Sequence, residues 1–521
     1  MTLLTLCLAA SLQAAPAPQA AAPKKPARPT AALAGARGSC AQFPSNLCVP
    51  LDSSFTVVPF GAQFGISFGA CERNDDGSAL LALNGWSFDF YGTLWQDLWV
   101  NNNGNVSLGT QFAAFSSSGF PVSGFPMVAA FWGDVDTRAG DGTDGAVWYR
   151  EWSTAAGDSV NRLVVTWDRV AFYDENTSKL NTFQIIITDG NDPLIGLGNN
   201  VCFCYDDMEW TTGDASSGSG GLGGTPATVG ANQGNGTDFF LVGRFDADGD
   251  AYDGPAGAND GVDYLDGRTI SFSVGGATTN VAPVYVSGDA RYDVLVGDTL
   301  TFDVEAIGPE PSQSVTLTVD AGGLANFSSV ETSGGLATST ATFTPDLSQL
   351  GTHVVEFTAT DDGSPVATSL LTVEIVVAPA ATVGDELCTP NGINSTGRAA
   401  TLYAMGSADA AQNDLTLEVS DMPPNVLGLI AVSQSTGVLD QFMGNQGRFC
   451  INGADVGRYG SAIFNSTAAG RHTYALDLAT LPTPTGVPAA AVAGQTWGWQ
   501  IWYRDGAQGP NFTSAVRVTF L

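Results

Sequence analysis

The sequence predicts an all-β protein of several domains. Glycine is abundant, at 63 of 521 residues, aromatic and β-branched residues are plentiful, and no segment keeps an apolar period of 3.6 over three or more turns. Each observation favours strands joined by turns over helices. At ~100 to 200 residues per domain the length suggests about three domains. We expect helices only as single turns, for example at 346–350.

The N-terminal segment, residues 1–39, predicts export. An apolar run at 3–12 ends in small residues that fit cleavage by signal peptidase between about Ala14 and Ala17, although no Lys or Arg precedes the run. The Ala/Pro-rich stretch that follows is typical of a linker, and a disordered tail is the alternative for the whole segment. No later apolar run reaches the ~20 residues that a membrane span needs. We therefore expect a secreted protein without a transmembrane segment.

The chain is strongly acidic. Its formal net charge is −33, from 52 acidic and 19 basic residues. Four of the basic residues lie in the N-terminal segment, so the exported protein is more acidic still. Such a surface repels nucleic-acid phosphates and anionic lipids but tolerates divalent cations. The composition therefore argues against a nucleic-acid partner.

The first domain is expected at 40–276, where strand signals are densest. Two β-rich runs, 99–101 and 106–108, flank Asn103-Gly104, a dipeptide that tolerates the positive φ angles of a tight hairpin turn. The segment 182–188 predicts a sheet strand with one well-buried face, which carries Phe183, Ile185 and Ile187.

Two further β domains are expected after the first. Residues 281–378 consist of short alternating strands separated by turn residues, as at 299–306, where Leu300, Phe302 and Val304 share one face. This pattern predicts an immunoglobulin-like β-sandwich. Residues 385–521 are expected to form a C-terminal β-sandwich module that ends in a strand at 515–520.

The cysteine content predicts disulfide bonds. Of eight cysteines, Cys7 leaves with the signal, and export favours disulfides over metal ligation for the other seven. Cys388 and Cys450 are predicted to pair, because they are the two cysteines of the last module.

In the first domain the pairing stays open. Cys40 with Cys48 is the most local pair, which leaves Cys71 to compete for Cys202 or Cys204. Seven is an odd number, so one thiol is expected to be free.

An acidic loop near the end of the first domain is the candidate metal site. Seven carboxylates fall within 21 residues: Asp246, Asp248, Asp250, Asp253, Asp260, Asp263 and Asp266. Only Arg244 and Arg268 are near them in sequence, and Ca²⁺ accepts six to eight oxygen ligands of this kind, whereas Mg²⁺ fits less well. The loop is not an EF-hand, because Ala251 stands where that loop requires glycine. The competing interpretation is a solvated loop whose aspartates cap turns.

Signs of catalysis are weak. Only two histidines exist, His353 in a predicted strand and His472 in a predicted turn, so a nucleophile activated by histidine is not expected. The Gly/Ser-rich stretch 216–224 satisfies a dinucleotide-binding spacing literally, but Pro226 prevents the helix that must follow. Asp134 and Asp136 could act as paired carboxylates, although such pairs are common in turns and cation sites.

Several short sequence motifs resemble those of a known family. They occur in order at 98–108 (LWVNNNGNVSL), 127–138 (MVAAFWGDVDTR), 179–184 (KLNTFQ), 202–210 (CFCYDDMEW), 227–231 (ATVGA) and 260–267 (DGVDYLDG). Together they resemble the nidogen-type extracellular domain. This resemblance implies matrix association and cell-matrix adhesion without catalytic activity. The cysteine count cannot supply the growth-factor repeats that accompany this domain in animal proteins.

The other two domains carry weaker resemblances. The phrases at 296–302 (VGDTLTF) and 351–363 (GTHVVEFTATDDG) resemble bacterial immunoglobulin-like or cadherin-like modules. The last segment is similar to a terminal module of secreted bacterial proteins. Three lysines against sixteen arginines also fit a bacterial origin.

The function expected from these observations is adhesion outside the cell. We predict a secreted, non-enzymatic protein that binds the extracellular matrix or a cell surface, with an extracellular protein or glycan as ligand and Ca²⁺ as a stabilising ion. The alternatives are a secreted carbohydrate-binding or carbohydrate-active protein, for which tryptophans could stack on sugars, and a structural component of a cell envelope.

Overall fold

The protein is built from strands, turns and short 3₁₀ helices. The computed structural model describes residues 47–61, 72–139, 145–257, 259–276, 280–310, 313–451 and 453–521. Within these ranges there is no α-helix, and the predicted all-β class is confirmed. The 3₁₀ helices are Thr154–Ala156, Asp214–Ser216, Val262–Leu265, Leu347–Gln349, Ala410–Gln412, Phe442–Gly444 and Gly506–Gln508. One of them lies within the single turn predicted at 346–350.

The first domain contains two seven-stranded sheets. Its strands are β1 Thr56–Val57, β2 Ser78–Ala82, β3 Phe88–Phe90, β4 Thr93–Trp95, β5 Asp97–Asn101, β6 Asn105–Ser107, β7 Met127–Trp132, β8 Val135–Asp136, β9 Val147–Trp152, β10 Arg162–Phe172, β11 Asn176–Thr188, β12 Val201–Asp207, β13 Ala227–Asn232, β14 Phe239–Ala247, β15 Asp260–Gly261 and β16 Thr269–Phe272. One sheet has the order β1-β9-β10-β11-β12-β16, with β8 beside β10. The other has the order β15-β14-β13-β7-β6-β5-β2.

The two sheets share one hydrophobic core. Trp167 stacks on Phe183 with ring centroids 5.1 Å apart, and Phe240 stacks on Phe272 at 4.1 Å. Each buried phenylalanine contributes on the order of 2 kcal/mol through removal of apolar surface from water. Phe240 of β14 and Phe272 of β16 belong to different sheets, so their stack joins the two sheets, whereas Trp167 and Phe183 are neighbours within one sheet.

The predicted hairpin is confirmed. Strands β5 and β6 pair antiparallel with Trp99 opposite Ser107. Gly104 in the turn has φ of 74°, and a Cβ there would lie 1.9 Å from the carbonyl oxygen of Phe131. The turn therefore requires glycine for two reasons, its left-handed backbone and its close approach to β7.

The prediction of one buried face for β11 is incomplete. Phe183, Ile185 and Ile187 enter the main core as expected. The opposite face is buried as well, because Ile186 packs in a second cluster with Leu47 and Phe55, which lie just before β1. A segment more than a hundred residues away in sequence covers this face, so the local pattern did not reveal its burial.

The second domain contains two four-stranded sheets. Its strands are β17 Val284–Ser287, β18 Arg291–Leu295, β19 Leu300–Ile307, β20 Val315–Asp320, β21 Phe327–Glu331, β22 Leu336–Phe343, β23 Gly351–Asp361 and β24 Thr368–Ala378. The sheets have the orders β17-β19-β22-β21 and β18-β24-β23-β20. Phe302 and Val304 are buried while Thr301 and Asp303 between and beside them are exposed, as the alternation at 299–306 predicts.

The third domain contains a six-stranded and a three-stranded sheet. Its strands are β25 Asp385–Leu387, β26 Thr401–Gly406, β27 Leu415–Ser420, β28 Leu427–Ser433, β29 Gly457–Arg458, β30 Phe464–Asn465, β31 His472–Leu476, β32 Thr496–Asp505 and β33 Gly509–Thr519. One core cluster draws on both sheets, with Leu402 and Leu417 from one and Trp499 and Tyr503 from the other.

The cores of the first and second domains are continuous. Val284 and Val286 of β17 and Ile307 of β19 belong to the hydrophobic cluster of the first domain. The backbone N–H of Leu241 in β14 donates to the carbonyl of Pro309 at 3.1 Å. The two domains are therefore packed against each other as well as joined by the chain.

Candidate functional site

The acidic loop lies between β14 and β15, which pair parallel with Phe245 opposite Asp260. This pairing sets Asp246, at the end of β14, close to Asp260. The backbone N–H of Asp253, in the loop between the strands, donates to Asp260 Oδ1 at 3.3 Å. Asp246 and Asp253 therefore lie near enough to Asp260 to repel its negative charge.

The group formed by Asp246, Asp253 and Asp260, here called the acidic triad, is electrostatically strained. Asp260 is 1% exposed, and its Oδ2 and Asp246 Oδ1 are buried without a hydrogen-bond partner. Burial raises the pKa of Asp260 to about 7, and repulsion by Asp253 and Asp246 adds to the effect, against a hydrogen bond from the Asp253 N–H. At neutral pH, Asp260 is therefore close to the midpoint between its neutral and its charged form.

The other four predicted ligands lie apart from the triad. Asp248 and Asp250 are exposed, and so is Asp263, whose pKa is raised chiefly by desolvation and then by Asp248. Asp266 Oδ1 accepts from the Met208 N–H at 2.8 Å, which anchors a neighbouring segment. In the described part of the chain no three carboxylates each bring an oxygen within 4.8 Å of the others.

The two nearby arginines are directed elsewhere. Arg244 donates to the carbonyl of Ser117 at 2.8 Å. Arg268 donates to the carbonyl of Val286 at 3.0 Å and lies 3.6 Å from Glu305 in the second domain. Their hydrogen bonds and this ion pair therefore lie away from the triad.

A second group of carboxylates surrounds Arg138. Arg138 donates twice to Asp136, at 2.9 and 2.6 Å, and lies 3.1 Å from Asp75. Burial raises the pKa of Asp134 to about 8, with further contributions from Asp75, Asp76 and Asp136. Asp134 and Asp136 are 2% and 0% exposed. The pair is therefore enclosed, with one member held by an arginine, an arrangement that favours a structural role over catalysis on a large substrate.

The cysteines form one expected pair and one unexpected pair. Cys388 and Cys450 form a disulfide, the pairing that the sequence predicts, with Cα atoms 6.4 Å apart. The predicted Cys40–Cys48 pair is wrong, because Cys48 forms its disulfide with Cys204 across 156 residues. The backbone of Val49, next to Cys48, exchanges two hydrogen bonds with the Gln184 side chain of β11. Gln184 lies opposite Cys204 of β12, so this contact places Cys48 beside Cys204, a proximity that sequence distance does not show.

Cys202 is a buried free thiol beside that disulfide. Its Sγ lies 3.6 Å from Cys204 Sγ, and burial raises its pKa to about 12. Cys40 and Cys71 lie outside the described residues, as does the predicted signal segment.

The remaining candidates have packing partners. His353 lies in β23 and its Nε2 is 2.7 Å from the carbonyl of Gln349. His472 begins β31 rather than lying in a turn, and its ring stacks on Phe464 with centroids 3.6 Å apart. The Gly/Ser-rich stretch 216–224 forms turns with a β-bridge between Ser219 and Leu222, and the Thr225 N–H closes it by donating to the Ser216 carbonyl.

A small groove lies beside the β3–β4 hairpin. It has a volume of about 220 Å³, with Phe90, Thr93 and Trp95 on one side and Gln233 and Asn235 among its other lining residues. Aromatic rings next to amide side chains are a combination that suits sugar binding. No local sequence pattern predicts this groove, because its two sides are about 140 residues apart.

Comparison with known proteins identifies the first domain. Residues 96–248 match the family profile of the nidogen-like domain. Residues 96–248 of the first domain therefore form a nidogen-like domain. Alpha-tectorin of Gallus gallus is 34% identical over 191 residues, which cover 32% of this chain and 8% of alpha-tectorin. Nidogen of Drosophila melanogaster is 28% identical over 146 residues, 24% of this chain and 10% of nidogen. The chain thus spans a tenth or less of the length of these relatives.

The nidogen-like domain is the part of the chain that these comparisons cover, and the resemblances of the second and third domains stay predictions. Among solved structures, the N-terminal Ig1-2 module of Drosophila receptor protein tyrosine phosphatase DLAR aligns with 46% of this chain at 11% identity and a TM-score of 0.15. That likeness is too loose to define a shared fold. Among the described residues, no helix has the length and apolar character of a membrane span.

Proposed function

We propose that this protein is a secreted adhesion protein without catalytic activity, which binds an extracellular protein or a glycan through its nidogen-like domain. The observation that carries the proposal is the match of residues 96–248 to the nidogen-like family, together with alpha-tectorin and nidogen as relatives. The second and third domains then act as spacers. The function of the whole chain is proposed from the one domain that is shared.

The environment of the candidate catalytic groups supports a binding role. Asp136 is held by Arg138, and Asp134 beside it is enclosed. His353 contacts a backbone carbonyl, and His472 lies flat against an aromatic ring. A hydrolase requires an acid or base that reaches a bound substrate. Asp134 and Asp136 are enclosed, and the ring of His472 is covered by Phe464.

Calcium is the ion we propose for the acidic loop. The acidic triad supplies carboxylate oxygens, the ligands that Ca²⁺ prefers, and needs a counter-charge. If Ca²⁺ binds the folded protein alone, ion at a hundred times its dissociation constant stabilises it by about 2.7 kcal/mol. Thermal unfolding of the full chain with EDTA and with millimolar Ca²⁺ tests this, and equal melting temperatures would remove calcium from the proposal.

Carbohydrate binding is the second candidate function. The groove between Trp95 and Gln233 favours it, because an aromatic face and an amide lie side by side. A glycan array and a Trp95→Ala variant test it, with Trp497→Ala in the third domain as a control away from the groove. Glycan binding that Trp95→Ala abolishes would replace adhesion to protein with lectin activity.

The main proposal is tested by direct binding. The purified protein is passed over immobilised extracellular matrix proteins and over the glycan array, and assayed on a panel of glycosidase and protease substrates. We expect saturable binding to an extracellular ligand and no turnover. Turnover of any substrate that the Asp134→Asn variant loses would overturn the non-enzymatic assignment.

A further inference from the structure

The small groove beside the β3–β4 hairpin, here called the hairpin groove, has the hairpin as its first wall. Strands β3 and β4 pair antiparallel, with Phe88 opposite Trp95 and Phe90 opposite Thr93. Residues that face each other across an antiparallel pair point to the same side of the sheet, so Phe90, Thr93 and Trp95 share the side that lines the groove. Phe90 is 2% exposed, and Trp95 packs against the core of the first domain. The hydrophobic core therefore holds this wall in place.

Hydrogen bonds around Asp89 also hold the hairpin. Asp89 Oδ1 accepts from the Gly92 N–H at 3.0 Å, and its Oδ2 accepts from the Gly276 N–H at 3.0 Å. The carbonyl of Asp89 accepts from Asn200 Nδ2 at 2.6 Å. A wall that is fixed before a ligand arrives reduces the entropy that is lost on binding.

The second wall is the loop 233–238, which Asn235 organises. Asn235 Nδ2 donates to Gln233 Oε1 at 2.5 Å and to Asp238 Oδ2 at 2.6 Å. Asn235 Oδ1 accepts from the N–H groups of Thr237 and Asp238 at 2.9 and 2.8 Å. Gln233 therefore turns its oxygen towards Asn235, and its Nε2, which donates no hydrogen bond within the described part of the chain, is left for a ligand.

The two walls offer the contacts that a sugar ring needs. A sugar ring has hydroxyl groups around its edge and C–H groups on its faces. The indole of Trp95 provides an apolar surface for such a face, and the Gln233 amide and the exposed Thr93 hydroxyl can hydrogen-bond to sugar hydroxyls. A wholly apolar ligand would cover that amide and that hydroxyl without giving them partners, at a cost in free energy. The lining therefore favours a sugar over an apolar ligand.

Volume and charge narrow the class of sugar. The volume of about 220 Å³ is below the ~300 Å³ at which pockets for drug-sized ligands begin, so the groove holds a single ring. Among the described residues that line it, none is lysine or arginine, and Asp238 belongs to the second wall. An acidic sugar would meet repulsion there without a counter-charge, in a chain whose net charge is −33. The groove therefore suits an uncharged sugar.

We propose that the hairpin groove binds one uncharged sugar ring of an extracellular glycan, with Trp95 packed on a face of the ring and Gln233 Nε2 donating to a sugar hydroxyl. The inference rests on the carbohydrate-binding candidate of the proposed function. It adds the charge and size of the ligand and the two side chains that recognise it.

A glycan array probed with the full chain tests the class of ligand. The array carries oligosaccharides that end in glucose, galactose, mannose or N-acetylglucosamine, and matched ones that end in glucuronic or galacturonic acid. Each acid differs from its hexose only at C6, where a carboxylate replaces the hydroxymethyl group. We expect saturable binding to at least one uncharged terminal sugar and at least ~10-fold weaker binding to its acidic counterpart, because the groove supplies no counter-charge.

Matched variants locate the site. Trp95→Ala and Gln233→Ala are each expected to weaken binding of the selected sugar by ~10-fold or more, measured by titration calorimetry. Gln96→Ala is the control, because Gln96 is exposed and follows Trp95 directly but does not line the groove. Thermal unfolding of each variant checks the fold, and the half-buried Gln233 carries the test if Trp95→Ala fails to fold.

The outcomes separate this inference from the proposed function. Binding of a glycan that neither Trp95→Ala nor Gln233→Ala weakens would overturn the hairpin groove as the site and leave carbohydrate binding in place. Equal binding of a hexose and its uronic acid would overturn the selectivity for uncharged sugars. Absence of any glycan binding would overturn both this inference and the carbohydrate-binding candidate, and adhesion to protein would still be decided by its own binding assay.

Discussion

The phenol of Tyr264 in the first domain donates a hydrogen bond to the carboxylate of Glu305 in the second domain, with 3.0 Å between the oxygens. Glu305 also lies 3.6 Å from Arg268, so its carboxylate contacts two side chains of the first domain, Tyr264 and Arg268. The same junction holds apolar contacts, since Val284 and Val286 belong to the core of the first domain. We therefore expect the first two domains to unfold as one cooperative unit.

Removal of this hydroxyl tests the junction. The Tyr264→Phe variant loses the bond to Glu305, while Arg268 continues to neutralise that carboxylate. The free energy of unfolding of the first two domains is expected to fall by about 1 kcal/mol, measured by guanidinium denaturation. Tyr292→Phe is the control, because its hydroxyl only accepts a bond from the exposed Asp289 N–H. Equal midpoints for native protein and Tyr264→Phe would contradict the prediction.

The disulfide of the third domain is expected to stabilise that domain alone. Cys388 and Cys450 close a loop across 62 residues. A double Cys388→Ser and Cys450→Ser variant should lose about 4 kcal/mol through the loop-closure entropy of the unfolded chain. The transition of the third domain is expected to shift in denaturation curves, and that of the first two domains to stay unchanged. Alkylation of Cys388 in the native protein would count against the pairing.

The thiol of Cys202 is expected to be inert in the folded protein. Burial raises its pKa to about 12, so the reactive thiolate is scarce near neutral pH. Iodoacetamide should label Cys202 only after denaturation, and non-reducing peptide mapping should link Cys48 to Cys204. Recovery of a peptide that links Cys40 to Cys48 would show that the observed pairing is wrong.

Features set by neighbouring residues were predictable from the sequence. Asn103-Gly104 predicts a turn because positive φ is needed within two residues, and β5 and β6 pair as expected. Alternation predicts which side chains of β19 are buried, because side chains of a strand point to opposite faces in turn. Both signals are complete within about ten residues.

Features that depend on contacts between distant segments were not predictable from the sequence. Cys48 pairs with Cys204 because residues 47–55 pack against β11 and β12, and the same residues help to bury Ile186. The acidic loop was recognised by its composition, but the parallel pairing of β14 with β15 selects Asp246, Asp253 and Asp260 from the seven candidates. The spacing of the aspartates along the chain does not reveal that β14 and β15 pair.

A pH-dependent stability is expected from Asp134. Its pKa is raised to about 8, chiefly by burial, from ~3.9 in the unfolded chain. Between these values the folded protein holds a proton that the unfolded chain has lost, so this group lowers the free energy of unfolding as pH rises from ~4 to 8. Asp134→Asn mimics the neutral acid. Its free energy of unfolding should exceed that of the native protein by a few kcal/mol at pH 8 but not at pH 4, since one pKa unit corresponds to ~1.4 kcal/mol.

Urea denaturation at several pH values checks the Asp134 prediction. Asp136→Asn removes a charged partner of Arg138 and also a contributor to the raised pKa of Asp134, so it should destabilise the protein and weaken the pH dependence that Asp134 causes. A difference between native protein and Asp134→Asn that does not vary with pH would contradict the raised pKa.

The hairpin glycine is expected to be essential. Gly104 has φ of 74°, and a Cβ at this position would lie 1.9 Å from the carbonyl oxygen of Phe131. Gly124 has a similar φ of 82°, but nothing lies within 4 Å of its Cβ position. Gly124→Ala therefore costs only the left-handed backbone, about 1 kcal/mol. Gly104→Ala adds displacement of β7, the strand that carries Phe131, so we expect a loss above ~4 kcal/mol or failure to fold. Thermal unfolding of both variants measures the difference, and equal losses would show that the hairpin does not depend on close contact with β7.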